Sequence, residues 1–246
     1  MSSLYKNLAP IYEAMYQSFI DYEEEFQFYS NILQQYGKSE VLEIGSGTGN
    51  LAPKFSKNGF QYSGLDYSQE MIDIAQKKIP NGKFLQGDMR NFQLEKPVES
   101  IIITARTVSY LLTNKDVMSC FKSICNNLIP TGILSFDFID ANRFIPSISP
   151  QKKIIHEALF EGKNYKRESI WSPALVNGMD FNWHFSFYVE EGNDWQLIAE
   201  DEEQPRTFTK DEIILLLQLN GFEVKSMIDR ASYAFPTYVA VAERKG

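Results

Sequence analysis

The sequence predicts an α/β protein with a doubly wound parallel sheet and an antiparallel β insertion after the fifth strand. Three observations support this prediction. A short apolar strand runs into a glycine-rich turn at residues 41–50. Strand-like and helix-like segments then alternate as far as Phe138, which is typical of βαβ units. Four strand-like runs, separated by turn signals, follow between residues 153 and 203.

The turn Gly45-Ser46-Gly47-Thr48-Gly49 directly follows the strand Val41-Leu42-Glu43-Ile44. Glycine is needed where the backbone adopts a positive φ or lies directly against a ligand. A helix that starts after such a turn presents unpaired N–H groups and a partial positive charge. Mononucleotide, dinucleotide and S-adenosylmethionine (SAM) sites all use this arrangement, and a glycine turn without a ligand is a further alternative.

Residues 1–36 precede the first core strand and are expected to form a helical cap laid over the sheet. Two short helices fit this segment, at about 8–18 and 20–35. Phe26, Ile32 and Leu33 would form the buried stripe of the second helix.

Residues 37–140 and 209–246 are predicted to form the core. Its first strands are expected at 41–45, 60–66, 83–86, 100–105 and 133–138, with helices ending near 58, running from 68 to 78 and covering 116–128. Ser68 can cap the second of these helices, and Pro130-Thr131-Gly132 marks a turn. The capping box Thr209–Glu212 begins a last helix, which stops at Asn220-Gly221 before strands at 222–228 and 238–242.

Residues 141–208 are predicted to form an antiparallel β lid over the active site. Strands are expected at about 153–161, 163–172, 179–190 and 195–203, separated by turns at Gly162, Asn177-Gly178 and Gly192-Asn193. The third run alternates apolar residues such as Trp183 with polar residues such as His184. An insertion after the fifth strand lies near the carboxyl ends of the strands, where ligands bind in such sheets.

Composition limits the possible partners. The 246 residues carry a net charge of −8, which argues against a nucleic acid backbone as partner. No apolar run is long enough to span a membrane, and no signal peptide is visible, so we expect a soluble cytoplasmic protein. Cys120 and Cys125 suggest neither a disulfide nor a metal site, which fits a reducing compartment.

Three acids follow one another at intervals of about one βα unit: Glu43 in the first strand, Asp66 at the end of the second, and Asp88 just after the third. This spacing places them along one edge of the sheet. An acid at the end of the second strand can accept hydrogen bonds from ribose hydroxyls. Asp88 and the N–H of Met89 can pair with the amino edge of an adenine. Tyr67 and Met71 can enclose the ring of that adenine.

The segments Glu43-Ile44-Gly45-Ser46-Gly47-Thr48-Gly49, Gly64–Met71 and Gly87–Phe92 resemble the class I SAM-dependent methyltransferases. The resemblance covers about residues 38–140. The N-terminal segment Tyr5–Glu13 is similar to that of small-molecule methyltransferases of the aminosugar N-methyltransferase type.

The resemblance implies a Rossmann-like sheet of seven strands, the last of them antiparallel, and SAM as cofactor. It implies that Gly45, Ser46 and Gly47 lie against the methionine part of SAM, and that the backbone at Thr104 flanks the sulfonium. It further implies Asp66 at the ribose, with Asp88 and Met89 at the adenine.

Methyl transfer mainly requires alignment of the acceptor and exclusion of water. A base is needed only if the acceptor arrives protonated, and the candidates are Tyr12, His184, Asp137 and Asp140. Tyr12 matches a family position near the methyl group, although it could instead pack the N-terminal helix. His184 could equally be an ordinary residue of its strand.

Arg106 departs from the family pattern directly after the fourth strand, and Tyr110 and Asp137 are further candidates for acceptor binding. The guanidinium is always charged and needs a nearby anion. That anion could be Glu99, Asp137 or Asp140 of the protein, or it could belong to an anionic acceptor. A solvent-facing Arg106 is the third alternative.

The sequence therefore predicts a SAM-dependent methyltransferase that acts on an N or O nucleophile of a small molecule, as a monomer or homodimer. Methylation of RNA or protein is an alternative, as is a SAM-binding domain that only serves as a scaffold. A dinucleotide-dependent oxidoreductase is less compatible, because Asn50 occupies the position of the third glycine of its G-x-G-x-x-G fingerprint.

Overall fold

The structure is a computed structural model that describes residues 9–149, 151–174, 179–192, 194–231 and 235–246. Residues 5–8 of the N-terminal resemblance, the predicted turn at Asn177-Gly178, and Asn193 lie outside these ranges. None of the helices within the described ranges is both long enough and apolar enough to span a membrane.

The helices and strands follow the predicted order closely. The helices are α1 (Ala9–Phe19), α2 (Tyr22–Gln35), α3 (Ala52–Lys57), α4 (Gln69–Lys78), α5 (Asn114–Asn127), α6 (Ala141–Phe144) and α7 (Lys210–Leu219). The core strands are β1 (Glu40–Ile44), β2 (Gln61–Asp66), β3 (Lys83–Gln86), β4 (Val98–Ile103), β5 (Leu128–Ile139), β10 (Phe222–Asp229) and β11 (Thr237–Arg244). The inserted strands are β6 (Lys153–Phe160), β7 (Lys163–Pro173), β8 (Phe181–Glu191) and β9 (Asp194–Glu203).

Local sequence signals explain several of these boundaries. Ser68 caps α4 by accepting a hydrogen bond from Met71 N, and Thr209 caps α7 by accepting one from Glu212 N. One boundary was predicted wrongly. Strand β5 begins at Leu128 and runs through Pro130-Thr131-Gly132, which was predicted as a turn before the strand. The register of β5 against β4 shifts between Val98 and Ser100.

The core sheet has the strand order β10-β11-β5-β4-β1-β2-β3. Strands β1 to β5 pair in parallel, whereas β11 is antiparallel to both β5 and β10. The predicted seven-stranded sheet with an antiparallel last strand is therefore confirmed. The order reverses between β1 and β4, and such a switch point opens a crevice at the carboxyl ends of the strands.

The middle of the sheet is buried on both faces, as the apolar run in β4 predicts. Ile101, Ile102 and Ile103 are fully buried. Ile101 and Ile103 belong to the apolar cluster that α5 and α7 complete, and Ile102 belongs to the cluster that α2 and α3 complete. Continuous apolar strands of this kind are typical of parallel sheets covered by helices on both sides.

The inserted strands form a separate antiparallel sheet, the second sheet, in the order β6-β7-β8-β9. Its buried face carries Trp171, Phe181, Trp183 and Phe185, which pack with Phe144 of α6 and with other apolar residues. The predicted antiparallel insertion after the fifth strand is confirmed.

The chain enters and leaves this insertion at one place. Phe208 N donates to the carbonyl of Ile139 at 2.9 Å, and Ala141 N donates to the carbonyl of Phe208, also at 2.9 Å. The two ends of the insertion are thus hydrogen-bonded neighbours.

Helix α1 connects the second sheet to the core. The ring of Phe19 lies 4.1 Å from the ring of His156 on β6, measured between centroids. On its other side, Glu13 pairs with Lys78 at the end of α4, at 2.6 Å. Helix α1 therefore spans the opening between the second sheet and the carboxyl edge of the core sheet.

Candidate active site

A cavity of about 530 Å³ lies at the carboxyl ends of β1, β2 and β4, and residues of α1 and the second sheet cover it. It is lined by these predicted site residues: Tyr12, Glu43, Gly45, Ser46, Gly47, Asp66, Tyr67, Met71, Asp88, Met89, Thr104, Arg106 and Tyr110. Asp137 and His184 are not among the residues that line it.

The glycine turn forms one wall of the cavity. Gly45 and Gly47 have φ angles of +75° and +52°, which favour glycine. A Cβ on Gly45 would lie 2.5 Å from the side chain of Thr107, whereas a Cβ on Gly47 would meet nothing within 4 Å. The backbone at Gly47 therefore lies beside open space, as a close-approaching ligand requires.

Ser46 supplies a polar group to this wall. Its Oγ atom is buried and has no hydrogen-bond partner among the described residues. Buried polar atoms are nearly always paired, so an orphan here points to a missing polar partner. Together with the open space at Gly47, this arrangement fits the polar end of a bound cofactor.

Asp66 lies at the end of β2 and fixes the turn. Its Oδ2 accepts from Gly47 N at 2.8 Å, and its Oδ1 accepts from Ser68 N at 2.9 Å. Burial raises the pKa of this carboxyl, although the backbone donors lower it in part. A carboxylate has about four acceptor positions, so the backbone donors leave room for a ligand.

Glu43 lies deeper, between β1 and its neighbours. Its two oxygens accept hydrogen bonds from the Tyr62 hydroxyl at 2.5 Å and the Thr104 hydroxyl at 2.7 Å. Burial raises the pKa of Glu43 to about 7, against the lowering effect of these two bonds. No sequence pattern distinguishes Tyr62, because it is one aromatic residue among many.

Asp88 lies at the far end of the cavity and is held by Arg90, a cavity residue that the sequence analysis missed. Arg90 Nε lies 3.0 Å from both Asp88 oxygens, and Arg90 also pairs with Asp116 at 3.0 Å. This pairing lowers the pKa of Asp88. Tyr67 is 55% exposed beside this region, whereas Met71 is buried.

Tyr12 and Tyr16 lie on α1 at the opposite end of the cavity, with stacked rings whose centroids are 4.1 Å apart. Tyr110, also at this end, donates from its hydroxyl to Glu203 Oε2 at 2.8 Å and so links the core to β9. Glu203 was not predicted as a site residue.

Arg106 is 5% exposed, so the solvent-facing alternative is wrong. It and Ala105 have positive φ angles of 61° and 55°, a conformation that costs free energy for residues other than glycine. Asp137 Oδ1 accepts from the main-chain N of Arg106 at 2.8 Å, and the guanidinium lies 4.9 Å from the centre of the Phe235 ring. The carboxyl of buried Asp137 thus contacts the main chain of Arg106. Burial raises the pKa of Asp137 to about 6.

The other two acids considered for Arg106 have different partners. Glu99 accepts hydrogen bonds from Ser39 and from the Glu40 main chain, at the amino end of β4. Asp140 pairs with Arg143 at 2.7 Å.

The structure does not bring His184 into the cavity. Its side chain is on the outer face of the second sheet and lies 3.6 Å from Glu202. The neighbouring residue Trp183 lines the cavity instead, because successive side chains of a strand point to opposite faces. A role for His184 as base therefore has no support in this geometry.

Comparison with known proteins agrees with the fold. Residues 41–132 match a family model described as "Methyltransferase domain". The protein named "Putative methyltransferase YqeM" from Bacillus subtilis (strain 168) is 28% identical over 226 residues, which are 90% of this chain and 87% of that protein.

Two solved structures have the same fold over nearly the whole chain. Streptomyces venezuelae DesVI superposes with a TM-score of 0.82 at 20% identity, covering 98% of this chain and 99% of that one. SAM-bound CalS10, an amino pentose methyltransferase from Micromonospora echinaspora, gives a TM-score of 0.81 at 19% identity, covering 96% and 97%.

Residues 41–132 therefore form a methyltransferase domain. Over nearly its whole length, the chain is similar to a protein named as a putative methyltransferase and has the fold of DesVI and CalS10.

Proposed function

We propose that this methyltransferase acts on a small polar molecule, through a nitrogen or oxygen nucleophile. The observation that carries the proposal is one continuous cavity, which extends from the glycine turn to Trp183 of the second sheet. Its volume of about 530 Å³ lies within the range of ~300–1,000 Å³ that is usual for small-molecule sites. One end suits a nucleoside cofactor, and the other leaves space for an acceptor.

At the cofactor end, residues from several strands and from the turns that follow them would bind SAM. The backbone at Gly45 and Gly47 and the Ser46 hydroxyl would take the methionine part, with Thr104 near the sulfur. Asp66 would accept hydrogen bonds from the ribose hydroxyls through its remaining lone pairs. The adenine would lie between Tyr67 and Met71, with Asp88 and Met89 at its amino edge.

When bound, SAM supplies a methyl group activated by its positively charged sulfur. The residues of this chain have to align the acceptor and keep water out. Tyr12 of α1, which lines the cavity, would orient the nucleophile or accept a hydrogen bond from it. A proton released by an amine or alcohol acceptor would leave to solvent.

The second sheet and α1 would act as a lid. Both contribute residues to the cavity, and Tyr110–Glu203 and Glu13–Lys78 are polar contacts that join them to the core. Opening of these elements would admit the acceptor, and their closure would exclude water during transfer.

Several observations favour a small acceptor over RNA or protein. The acceptor end of the cavity is covered by Trp183 and by residues of α1 and is not an open groove. The net charge of −8 disfavours an RNA backbone. The fold shared with CalS10, an amino pentose methyltransferase, favours an amine-bearing acceptor.

The test combines calorimetry with a transfer assay. SAM and S-adenosylhomocysteine (SAH) should bind with micromolar affinity, and NADH should not bind. Radiolabelled SAM should then label a member of a panel of small amines, aminosugars and hydroxy acids, and should not label bulk RNA or protein. NADH binding without SAM binding would refute the cofactor assignment, and selective labelling of RNA or protein would refute the acceptor class.

A further inference from the structure

We propose that the acceptor end of the cavity contains an oxyanion subsite, formed by Arg106, Ser109 and Trp183, that binds a carboxylate or phosphate group of the acceptor. The inference rests on the proposed function and adds the chemical class of the acceptor to it. All three residues line the cavity.

Trp183 provides the first observation. It is 8% exposed, and its indole Nε1 has no hydrogen-bond partner among the described residues. An indole N–H can only donate, so the group that satisfies it must be an acceptor of hydrogen bonds. Leaving such a donor buried and unpaired is costly, which makes an unfilled partner position on a residue that lines the cavity informative.

Ser109 provides the second, independent observation. It lies on the short 3₁₀ turn Thr107–Tyr110, is 2% exposed, and its Oγ also has no partner within the described part of the chain. Its main-chain N donates to the carbonyl of Arg106, so the two residues belong to the same turn. The hydroxyl can donate to a ligand oxygen without disturbing any existing side-chain contact.

Phe235 brings two of the three groups, Arg106 and Trp183, together. The Arg106 guanidinium lies 4.9 Å from the centre of the Phe235 ring, and the Trp183 ring centroid lies 5.5 Å from the same centre. Arg106 and Trp183 therefore face one aromatic residue from the core and from the second sheet, respectively. Asp137 holds the Arg106 backbone in its left-handed conformation through the 2.8 Å hydrogen bond.

The combination selects an oxyanion. Arg106 supplies a permanent positive charge in a water-poor site, and Trp183 and Ser109 supply neutral donors. Hydrogen bonds to a charged oxygen are stronger than those to a neutral one. A cationic group without such an oxygen would leave the donors unpaired and would lie beside a second positive charge.

The test uses the full chain saturated with SAH and labelled with ¹⁵N at its three tryptophans, Trp171, Trp183 and Trp195. Inorganic phosphate and acetate are titrated in parallel, with chloride at matched ionic strength as control. We expect a saturable shift of the Trp183 indole signal with at least one oxyanion. The oxyanion that binds with the higher affinity, phosphate or acetate, shows whether the subsite recognises a phosphate or a carboxylate.

Trp171 offers a matched internal control. It is buried on the same face of the second sheet and also lacks a partner for its Nε1 among the described residues, yet it does not line the cavity. Its signal should not move. Trp183→Phe should lower the affinity for the oxyanion about tenfold, whereas Trp171→Phe should leave it unchanged.

Two further variants test the charge and the hydroxyl. Arg106→Gln should weaken oxyanion binding about tenfold or more, and Ser109→Ala should weaken it several-fold. Ser135→Ala removes another buried hydroxyl, which has no partner among the described residues and lies outside the cavity, and should have no effect. If Arg106→Gln does not fold, the oxyanion affinity of Ser109→Ala still tests whether the subsite exists.

The proposal is overturned if neither oxyanion shifts the Trp183 signal beyond the chloride control, or if Trp171 shifts equally. It is also overturned if Ser109→Ala binds as tightly as the native chain. In each case, SAH binding measured by calorimetry shows separately whether the proposed function still holds.

Discussion

The hydroxyl of Tyr62 on β2 donates a hydrogen bond to Glu43 on β1, and both side chains are buried within the sheet, directly below the glycine turn. The second Glu43 oxygen is bonded to Thr104, so the carboxyl joins three neighbouring strand segments. Because burial raises its pKa to about 7, Glu43 is partly protonated near neutral pH in the folded protein. Its titration is therefore coupled to folding.

Glu43→Gln should reduce the dependence of stability on pH. The folded pKa of about 7 exceeds the ordinary value of 4.5, so protonation of Glu43 favours the folded state. That contribution is complete below pH 4.5 and is lost as the pH rises to about 7. The free energy of unfolding of the native chain, minus that of Glu43→Gln, should fall by about 2–4 kcal/mol from pH 4.5 to pH 8.

Denaturant unfolding without ligand at several pH values measures this difference. Other titrating groups, including Asp137, contribute to both proteins and cancel. If the free energies of unfolding of the two proteins change equally with pH, Glu43 does not titrate in this range.

Asp66→Ala should weaken SAH binding by about 1–3 kcal/mol, or about tenfold or more, because it removes the proposed partner of the ribose. It should also lower the melting temperature, because Gly47 N and Ser68 N lose their acceptor. Asp73→Ala, on the exposed face of α4, is the matched control and should change neither quantity. An unchanged dissociation constant for SAH would rule out the proposed role of Asp66.

Tyr12→Phe should lower the turnover rate about tenfold or more with an acceptor found in the panel, while the SAH affinity stays within twofold. The change removes only the hydroxyl and keeps the ring stacked on Tyr16. Tyr16→Phe serves as control and should leave turnover nearly unaltered. Equal turnover of Tyr12→Phe and the native chain would leave Tyr12 with a packing role.

Hydrogen exchange should slow in α1 and in β6 to β9 when SAH is added, and should stay constant in α5 and β5. The physical reason is that these covering elements must open for exchange of cofactor and acceptor. Tyr110→Phe breaks the bond to Glu203, so β9 should exchange about two- to tenfold faster in the free protein. Identical protection with and without SAH would argue against a lid.

The fold was predictable because its signals are local. Each signal indicates the structure of the segment in which it lies. Examples are the caps at Ser68 and Thr209, the isoleucine run of β4 and the turn glycines. The start of β5 was missed because Pro130-Thr131-Gly132 normally breaks a strand, whereas here the strand continues through it with Thr131 at a φ of +63°.

The site was predictable only in part, because contacts between distant segments leave no local pattern. The alternation in β8 predicts two unlike faces but does not show which of them lines the cavity, and the structure places Trp183 there instead of the predicted His184. Two contacts depend on loop conformation: the ion pair of Asp88 with Arg90, and the hydrogen bond of Asp137 with the main chain of Arg106. Neither contact follows from residue type or spacing.

The hydrogen bonds between Phe208 and residues 139 and 141 close the base of the insertion and have an evolutionary consequence. A segment whose ends already meet can lengthen, shorten or be exchanged without moving β5 or α7. The core proposed to hold the cofactor and the insertion proposed to cover the acceptor can therefore diverge at different rates. If the proposed division of roles holds, a chimera that carries another methyltransferase's insertion between residues 140 and 208 acquires a new acceptor preference and keeps its affinity for SAM.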